Sequence, residues 1–469
     1  MSTTSELTRL REFLNELIPS EDQLVRLYQN FCAQIRKGLG SKTNKDASTK
    51  CYLTYVQDFP TGNETGKYLA LDLGGSKFRV LLIHLKGDSE AEQITKIYDL
   101  TERELHSTGV ELFDYIAKCL HEFVCEQKVD NEHMPLGFTF SFPCVQTGLS
   151  RATLVRWTKG FNCSDTVGED IGLMLKAAIA RRPGLRIDMV AILNDTTGTQ
   201  MSCAHRNPSC NIGLIVGTGC NACYTEKVEN CERLDSKYKD KPKIIINVEW
   251  GAFGEKGGVD HLFTDYDRTV DQNSINRGSQ IFEKMVSGMY MGELVRLILL
   301  RAVNENLVFA QCKLRKHITD ILTKKPHCIE TKVLSDIAND RGDDWPLVKD
   351  VFKQVFNLNN ADPDDCMKFK FICDVVVKRS GNMIGVTLSG LVNKVGESFS
   401  VIGVDGTVYR CHPNFDGYMR ETLDRFVDKD YKYDMMLSED GSGRGAALVA
   451  AVVHRDYMER KSLNAKLRQ

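Results

Sequence analysis

Between residues 8 and 39 large apolar side chains recur at helical spacing: Leu10, Phe13, Leu14 and Leu17, then Leu24, Leu27, Phe31 and Ile35. Pro19-Ser20-Glu21 divides the two sets and offers Ser20 as the N-cap of a second helix. Residues 38–49 are polar and read as a loop. The period then changes. Tyr68-Leu69-Ala70-Leu71-Asp72-Leu73 runs into Gly74-Gly75, and Phe78-Arg79-Val80-Leu81-Leu82-Ile83 runs out, which predicts a buried β-hairpin. A helix is predicted over 110–125. About 140 residues after the first hairpin, Ile212-Gly213-Leu214-Ile215-Val216, the turn Gly217-Thr218-Gly219 and Ala222-Cys223-Tyr224-Thr225 repeat its shape. Two such units predict a duplicated architecture with facing halves. Long helices are expected over 281–303 and 371–395, a strand over 400–404 entering a tight turn at Asp405-Gly406, a helix over 446–454 and a polar tail over 460–469.

The 469 residues exceed what one hydrophobic core supports, since single cores stop growing near roughly 250–300 residues. Two lobes follow, and with only 11 prolines and no low-complexity linker they are expected to interleave. A net charge of −2 gives no basic footprint for nucleic acid or an acidic membrane, so a phosphorylated ligand must be held by local donors. The N-terminus starts no apolar signal region, and no run reaches the roughly 20 apolar residues of a membrane span. The 16 cysteines therefore read as reduced thiols. Cys220-Asn221-Ala222-Cys223 is a lone CxxC without further ligands at zinc spacing, and reads as a turn cysteine and a strand cysteine.

Asp72-Leu73-Gly74-Gly75-Ser76-Lys77 sets a carboxylate at a strand end before a glycine turn. Glycines let backbone N–H groups approach a phosphate, Ser76 adds a hydroxyl, and Lys77 and Arg79 add charge. Gly217-Thr218-Gly219 offers the same chemistry from the second unit. Two other glycine clusters fit less well. Residues 62–67 fall one residue short of a P-loop, and 441–445 have the wrong spacing for a dinucleotide turn, although the latter open a helix. Asp195 ends the apolar run Met189-Val190-Ala191-Ile192-Leu193. By itself such an aspartate reads more readily as a cap or turn residue than as a general base.

Three segments hold polar side chains at the rim of a core and suit a polyhydroxylated ligand: Phe138-Thr139-Phe140-Ser141-Phe142-Pro143, Trp157-Thr158-Lys159-Gly160-Phe161 and Leu193-Asn194-Asp195-Thr196. In this order, with the two glycine turns, Asn247-Val248-Glu249-Trp250-Gly251-Ala252-Phe253-Gly254 and Phe282-Glu283-Lys284, the chain resembles the eukaryotic hexokinases of the single-unit, animal hexokinase and glucokinase type. The resemblance spans residues 17–454. It implies an α/β fold of two actin-like ATPase lobes around a cleft. The implied small lobe is 66–193, completed by a C-terminal helix at 442–463, and the implied large lobe is 1–65 with 194–441.

The resemblance also implies a function. ATP would phosphorylate glucose, and other hexoses such as mannose and fructose, at the 6-hydroxyl in the first step of glycolysis. Asp195 would be the general base, Lys159 a source of positive charge, and the cleft would close on sugar. Ser141, Thr158, Lys159, Asn194, Asp195, Asn221, Glu249 and Glu283 would bind the sugar. Asp72, Gly74, Gly75, Ser76, Lys77, Arg79, Gly217, Thr218 and Gly219 would serve ATP. Thr331, Ser335, Gly403, Asp405, Gly406 and Ser442 would lie near its nucleoside, Thr331 and Ser335 having helix capping as the plainer reading. Mg²⁺ would be held by the ATP phosphates, with Asp72 and Asp195 nearby and no direct protein ligand. Glucose 6-phosphate is a possible inhibitor. A cytoplasmic monomer or homodimer is implied.

The chain departs from the family in its first phosphate loop, which usually reads Gly-Gly-Thr-Asn: Ser76 keeps the hydroxyl and Lys77 replaces the amide, and Cys220 stands where hexokinases often carry Ser or Thr and glucokinase-like members Cys. The same fold also serves chaperone and cytoskeletal ATPases and non-catalytic sugar sensors. A chaperone needs a peptide-binding domain for which no residues remain, and a sensor would be expected to lose Asp195 or Lys159.

Overall fold

Each glycine-turn hairpin grows into a mixed sheet, and the two sheets share one strand order. The computed structural model describes residues 3–74, 77–157, 160–340 and 344–466. The first half of the chain supplies β1 (Tyr52–Leu53), β2 (Thr65–Leu73), β3 (Lys77–Gly87), β4 (Glu90–Asp99) and β5 (Met134–Phe140). A small separate hairpin, β6 (Cys144–Gly148) and β7 (Arg151–Leu154), precedes β8 (Ile187–Leu193). The second half supplies β9 (Cys210–Val216), β10 (Cys220–Lys227), β11 (Lys243–Asn247), β12 (Phe399–Asp405) and β13 (Lys432–Leu437). The first sheet runs β4-β3-β2-β5-β8, with β3 antiparallel to β2 and β4, and with β5 and β8 parallel to β2. The second runs β11-β10-β9-β12-β13 with the same directions, and β1 is added antiparallel beyond β11. The expected duplication is therefore present strand for strand.

Helices cover both faces, as buried parallel strands require. On one face of the first sheet the helix Gly109–Glu126 lays down Leu112, Phe113, Ile116, Leu120 and Phe123. The opposite face is closed by the far end of the chain: Ala446, Ala447, Leu448 and Val449 of the helix Gly441–Lys466 pack with Ala70, Leu81, Ile83 and Ala191. In the second half, Glu21–Leu39 and Pro363–Val395 join the core that takes Ile212, Leu214 and Val216 of β9. Ser20 caps Glu21–Leu39 as expected, in a reciprocal pair in which Ser20 Oγ accepts from Gln23 N at 3.3 Å and Gln23 Oε1 accepts from Ser20 N at 2.9 Å.

A crossover helix, Asp195–Arg206, follows β8 and packs against both β9 and the C-terminal helix. Its contact with the C-terminal helix is backbone on backbone. A Cβ built on Gly445 would lie 2.1 Å from the carbonyl oxygen of Gly198, and one on Gly198 would lie 2.9 Å from that of Gly441. The same C-terminal helix crosses β5 so closely that a Cβ on Gly137 would meet the Ala446 carbonyl oxygen at 2.0 Å.

Several expectations change. The helix expected over 281–303 is two helices, Ile281–Val286 and Gly288–Asn304, broken at Ser287 with φ −90° and ψ 158°. The break lets Gly288 N donate to Gly217 O at 2.9 Å and Met289 N to Thr218 O at 3.0 Å, so the second glycine turn caps the second helix. The helix expected from 371 begins at Pro363, which is preformed for a first turn, with Asp362 as its cap. The helix expected over 446–454 starts at Gly441 and continues through Lys466, so most of the expected polar tail is helical. Strand β4 lies at the sheet edge with most side chains exposed, and so carried no apolar alternation to read. Cys220 opens β10 rather than sitting in the turn. It and Cys223 are buried free thiols, and burial pushes Cys223 up to about 12 and Cys220 higher still, so neither supplies a thiolate near neutral pH. All sixteen cysteines are unpaired, and among the described residues no helix is long and apolar enough to cross a membrane.

The glycine crossing gives a stability test. Gly445→Ala forces two backbones apart and is expected to destabilise the fold by about 1–3 kcal/mol, the usual cost of overpacking. Gly417→Ala is the control. Gly417 lies in the helix Phe415–Phe426, and a Cβ there meets nothing within 4 Å. That change should be neutral or stabilising by up to about 1 kcal/mol. Urea unfolding midpoints of the two variants check the contrast, and equal midpoints would contradict the close crossing.

Candidate active site

Parallel strands end together, and here their carboxyl ends carry the polar residues. In the first sheet Leu73 of β2 pairs with Phe140 of β5, and Thr139 pairs with Leu193 of β8. Asp72 and Gly74, Ser141, and Asn194 with Asp195 therefore share one edge. In the second sheet Ile215 of β9 pairs with Asp405 of β12, so Gly217 and Gly406 also share an edge. A Cβ on Gly406, whose φ is +115°, would lie 2.2 Å from Val216 O. Ligands of open α/β sheets gather at such ends.

Asn194 caps the crossover helix. Its Oδ1 accepts from Thr196 N at 3.0 Å and from Thr196 Oγ1 at 2.8 Å. Asp195 is the first helical residue, half-buried, and its Oδ1 accepts from Thr196 N at 2.9 Å. The cap is thus Asn194, and Asp195 follows it as the first helical residue.

From the second sheet, Asn221 Nδ2 reaches Asn194 Oδ1 at 3.4 Å, Asn247 Oδ1 at 2.9 Å and Glu249 Oε1 at 3.1 Å. Ala222 N donates to Asn221 Oδ1 at 2.8 Å, which fixes the amide with its nitrogen toward those acceptors. Asn247 Nδ2 donates to Glu249 Oε1 at 2.9 Å. Asn247 was not singled out from sequence. Its signal is that it precedes Glu249 by two and so shares its side of the strand end. Glu249 itself is left-handed, with φ 53° and ψ 50°. Such strain in a residue with a Cβ costs of order 1–3 kcal/mol and concentrates at functional sites. Trp250, fully buried behind it and edge-on to Phe31 at 5.9 Å, anchors the turn.

Glu283 Oε2 accepts from Cys220 N at 3.1 Å, and a Cβ on Gly219 would come within 2.7 Å of that oxygen. The glycine turn and Glu283 are therefore in contact. Gln280, also missed from sequence, has φ 55°, and a Cβ on Gly251 would lie 2.1 Å from its Oε1. Lys284, next to Glu283 and 1% exposed, is tied to Asp271 Oδ1 at 2.7 Å and Asn276 O at 2.9 Å, which fixes the helix bearing Glu283.

Thr158 and Lys159 lie outside the described residues, as do Gly75, Ser76 and the Lys77 side chain. What surrounds the first pair is described. Trp157 stacks on Phe161 with centroids 5.0 Å apart, meets Phe142 edge-on at 4.9 Å, and donates to Thr166 Oγ1 at 2.7 Å. This aromatic cluster anchors the segment on either side of the two polar residues.

Other expected positions turn out differently. Arg79 donates to Asp72 and to Ser442 Oγ at 2.9 Å and pairs with Asp440 at 2.6 Å. Burial opposes its charge, yet the two carboxylates hold its pKa above the usual arginine value. The charge expected for a phosphate is thus engaged within the protein. Ser442 is in the first turn of the C-terminal helix, and its hydroxyl donates to Asp72 Oδ2 at 2.8 Å. Gly403 lies mid-strand in β12, as the strand expected over 400–404 has it, and a Cβ there would meet Cys203 Sγ at 2.7 Å, so packing alone accounts for a glycine. Asp405 accepts from Gly406 N at 2.7 Å, Gly441 N at 3.2 Å and Arg410 at 2.8 Å. Thr331 caps no helix. Its hydroxyl accepts from Gly292 N at 3.1 Å and donates to Gly288 O, while Ser335 is buried in the helix Thr331–Ile337. Among the described residues no cluster of histidine, cysteine and carboxylate suits a protein-held metal.

The chain matches two family models, both described as hexokinase, over residues 9–205 and 211–452. It is 41% identical to Hexokinase-1 of Mus musculus over 454 residues, covering 95% of this chain and 45% of that protein. It is 40% identical to Hexokinase-2 of Homo sapiens over 461 residues, covering 96% of this chain and 48% of that protein. The chain thus spans about half the length of the curated relatives it matches. Among solved structures, a hexokinase from Schistosoma mansoni complexed with glucose is 36% identical with a TM-score of 0.87, covering 96% of this chain and 100% of that one. A second structure, described as a hexokinase, is 28% identical with a TM-score of 0.82. With both family models matched in series and the two-lobed architecture reproduced, this chain belongs to the hexokinase family.

Proposed function

We propose that this chain transfers the γ-phosphoryl group of ATP to the 6-hydroxyl of glucose or a similar hexose. The observation that carries the reading is the convergence of Asn194 and Asp195 with the Asn221–Asn247–Glu249 network, in a member of this family. Amides and carboxylates held in fixed directions suit a polyhydroxylated ligand and reject analogues that lack a hydroxyl. Asp195 takes the proton of the 6-hydroxyl as the new bond to phosphorus forms. Asn194, Asn221, Glu249 and Glu283 orient the ring, joined by Ser141, Thr158 and Lys159 from the first half, and Lys159 also offsets charge. The glycine segments would offer backbone N–H groups to the phosphates, in the second turn from Thr218 and Gly219, since Gly217 N donates to Gly219 O at 2.9 Å. Bound Mg²⁺ would supply charge neutralisation on the transferring group. Asp72 and Asp195, hard oxygen donors at the same edge of the first sheet with β5 between their strands, fit its vicinity.

We take the small lobe as 66–193 with 442–463 and the large lobe as 1–65 with 194–441. Ser141, Thr158 and Lys159 then lie on one lobe and Asn221, Glu249 and Glu283 on the other. A sugar touching both sets stabilises only a closed arrangement, which also excludes water that the same base would activate.

Asp195→Ala should retain glucose binding while kcat falls by about 10²–10⁴. Titration calorimetry and coupled ADP release measure the two, and near wild-type kcat would end the assignment. Saturating glucose should reduce the radius of gyration in solution scattering, and an unchanged value at proven saturation contradicts closure. If the Lys77 ammonium group faces the phosphate subsite, Lys77→Asn should shift the KM for ATP or the inhibition constant for glucose 6-phosphate severalfold, the scale of about 0.5–1 kcal/mol for an exposed charge. Both constants unchanged within about twofold would assign Lys77 to solvent.

A further inference from the structure

A hollow of about 400 Å³ lies away from the strand ends, where the β3–β4 turn meets the crossover helix and the C-terminal helix. Its cations come from three elements: Lys86 at the end of β3, Arg206 at the end of the crossover helix, and Arg444 in the first turns of the C-terminal helix. Arg444 is the unusual one. Its Nη2 is held by Ser89 O at 3.3 Å and His205 Nδ1 at 3.3 Å, both uncharged acceptors or nearly so. Its Nε is buried without an acceptor, and among the described residues it forms no ion pair. Burial, and Arg206 beside it, pull its pKa below the usual arginine value, against a weaker pull upward from Glu439 and Asp440. A half-buried guanidinium with no carboxylate in contact is costly unless something supplies one.

The acidic residues of the rim are Glu90, Glu92 and Glu439, all exposed, and none of them is in ion-pair contact with Arg444 among the described residues. Glu92 pairs with Lys86, and Glu439 pairs with Arg206 at 3.4 Å, but their side chains are 66% and 72% exposed. Exposed pairs of this kind contribute little and exchange readily with water. An incoming anion can therefore take over Lys86 and Arg206 while the carboxylates turn to solvent, and can meet Arg444 at its Nε, which has no acceptor. Three cations approaching from three directions match a tetrahedral dianion better than a planar carboxylate, which offers one charge in one plane.

We propose that this hollow is a binding site for a phosphoryl group, either free phosphate or the phosphate of a small ester, distinct from the strand-end site.

The test uses the full chain with glucose and a non-hydrolysable ATP analogue present, so that the strand-end site is filled. Phenylglyoxal labelling is followed by peptide mass mapping at Arg444, Arg206 and the exposed Arg26 as an internal control. Inorganic phosphate and glycerol 3-phosphate are the probes, with sodium chloride at matched ionic strength. Labelling of Arg444 and Arg206 should slow severalfold while Arg26 is unchanged. In Lys86→Gln, a change at a surface position, the concentration giving half protection should rise about tenfold, the scale of one charge-assisted hydrogen bond. Protection by phosphate alone identifies the free ion as occupant, and protection at lower concentration by the ester identifies a phosphorylated metabolite. No protection, equal protection of Arg26, protection by chloride, or indifference to Lys86→Gln each overturns the proposal.

Discussion

Gly198 and Gly445 let two helices meet without side chains between them, and the rest of the molecule is arranged around that contact. One helix carries Asp195 at its start. The other is the end of the chain, and it closes the open face of the first sheet with Ala446, Ala447 and Leu448. Because the two backbones touch, the aspartate's helix and the sheet that the chain built some 300 residues earlier are held in one relation. Gly137 extends the constraint into β5, whose end leads to Ser141. Close packing of this kind tolerates no added methyl group, so it fixes position more tightly than an apolar contact between long side chains.

The repeated strand order accounts for why the polar residues gather. In each half the hairpin is followed by two strands parallel to its first member, and parallel strands deliver their carboxyl ends to a common edge. Side chains there stand at the rim of a core, where an unpaired polar group is expensive. The site meets this by mutual pairing: Asn221 serves Asn194, Asn247 and Glu249 together. The strained Glu249 persists because Trp250 and Phe253 are locked behind it against Phe31.

Charge is handled in two ways. Arg79 is enclosed by Asp72 and Asp440 and ties the first hairpin to the C-terminal helix through Ser442. Such a network orients Asp72 beside the glycine turn. Arg444, two residues beyond Ser442 in the C-terminal helix, has neutral hydrogen-bond partners only. The two arginines thus differ in kind. One positions a carboxylate, and the other is a cation still open to an anion.

The sequence by itself determined the class of fold, the duplication and the strand-end residues. Those features rest on local signals: alternation into a glycine turn, repeated once, and an apolar run ending at Asn194-Asp195. The cap at Ser20 was legible for the same reason. What only the tertiary structure decided depends on contacts distant in sequence. The break at Ser287 exists because the Gly217–Gly219 turn supplies carbonyls to Gly288 and Met289, which no local pattern announces. Arg79 reads as a phosphate ligand until Asp440 arrives from the other end of the chain. Gly403 lies within the expected strand, but only the structure shows that Cys203 fills the space a Cβ would need. Gln280 carries no motif of its own, and only the fold brings it beside Gly251. Periodicity records which face of an element is buried. It does not record which distant element buries it, and that choice settles whether a polar side chain is spent on the protein or left for a ligand.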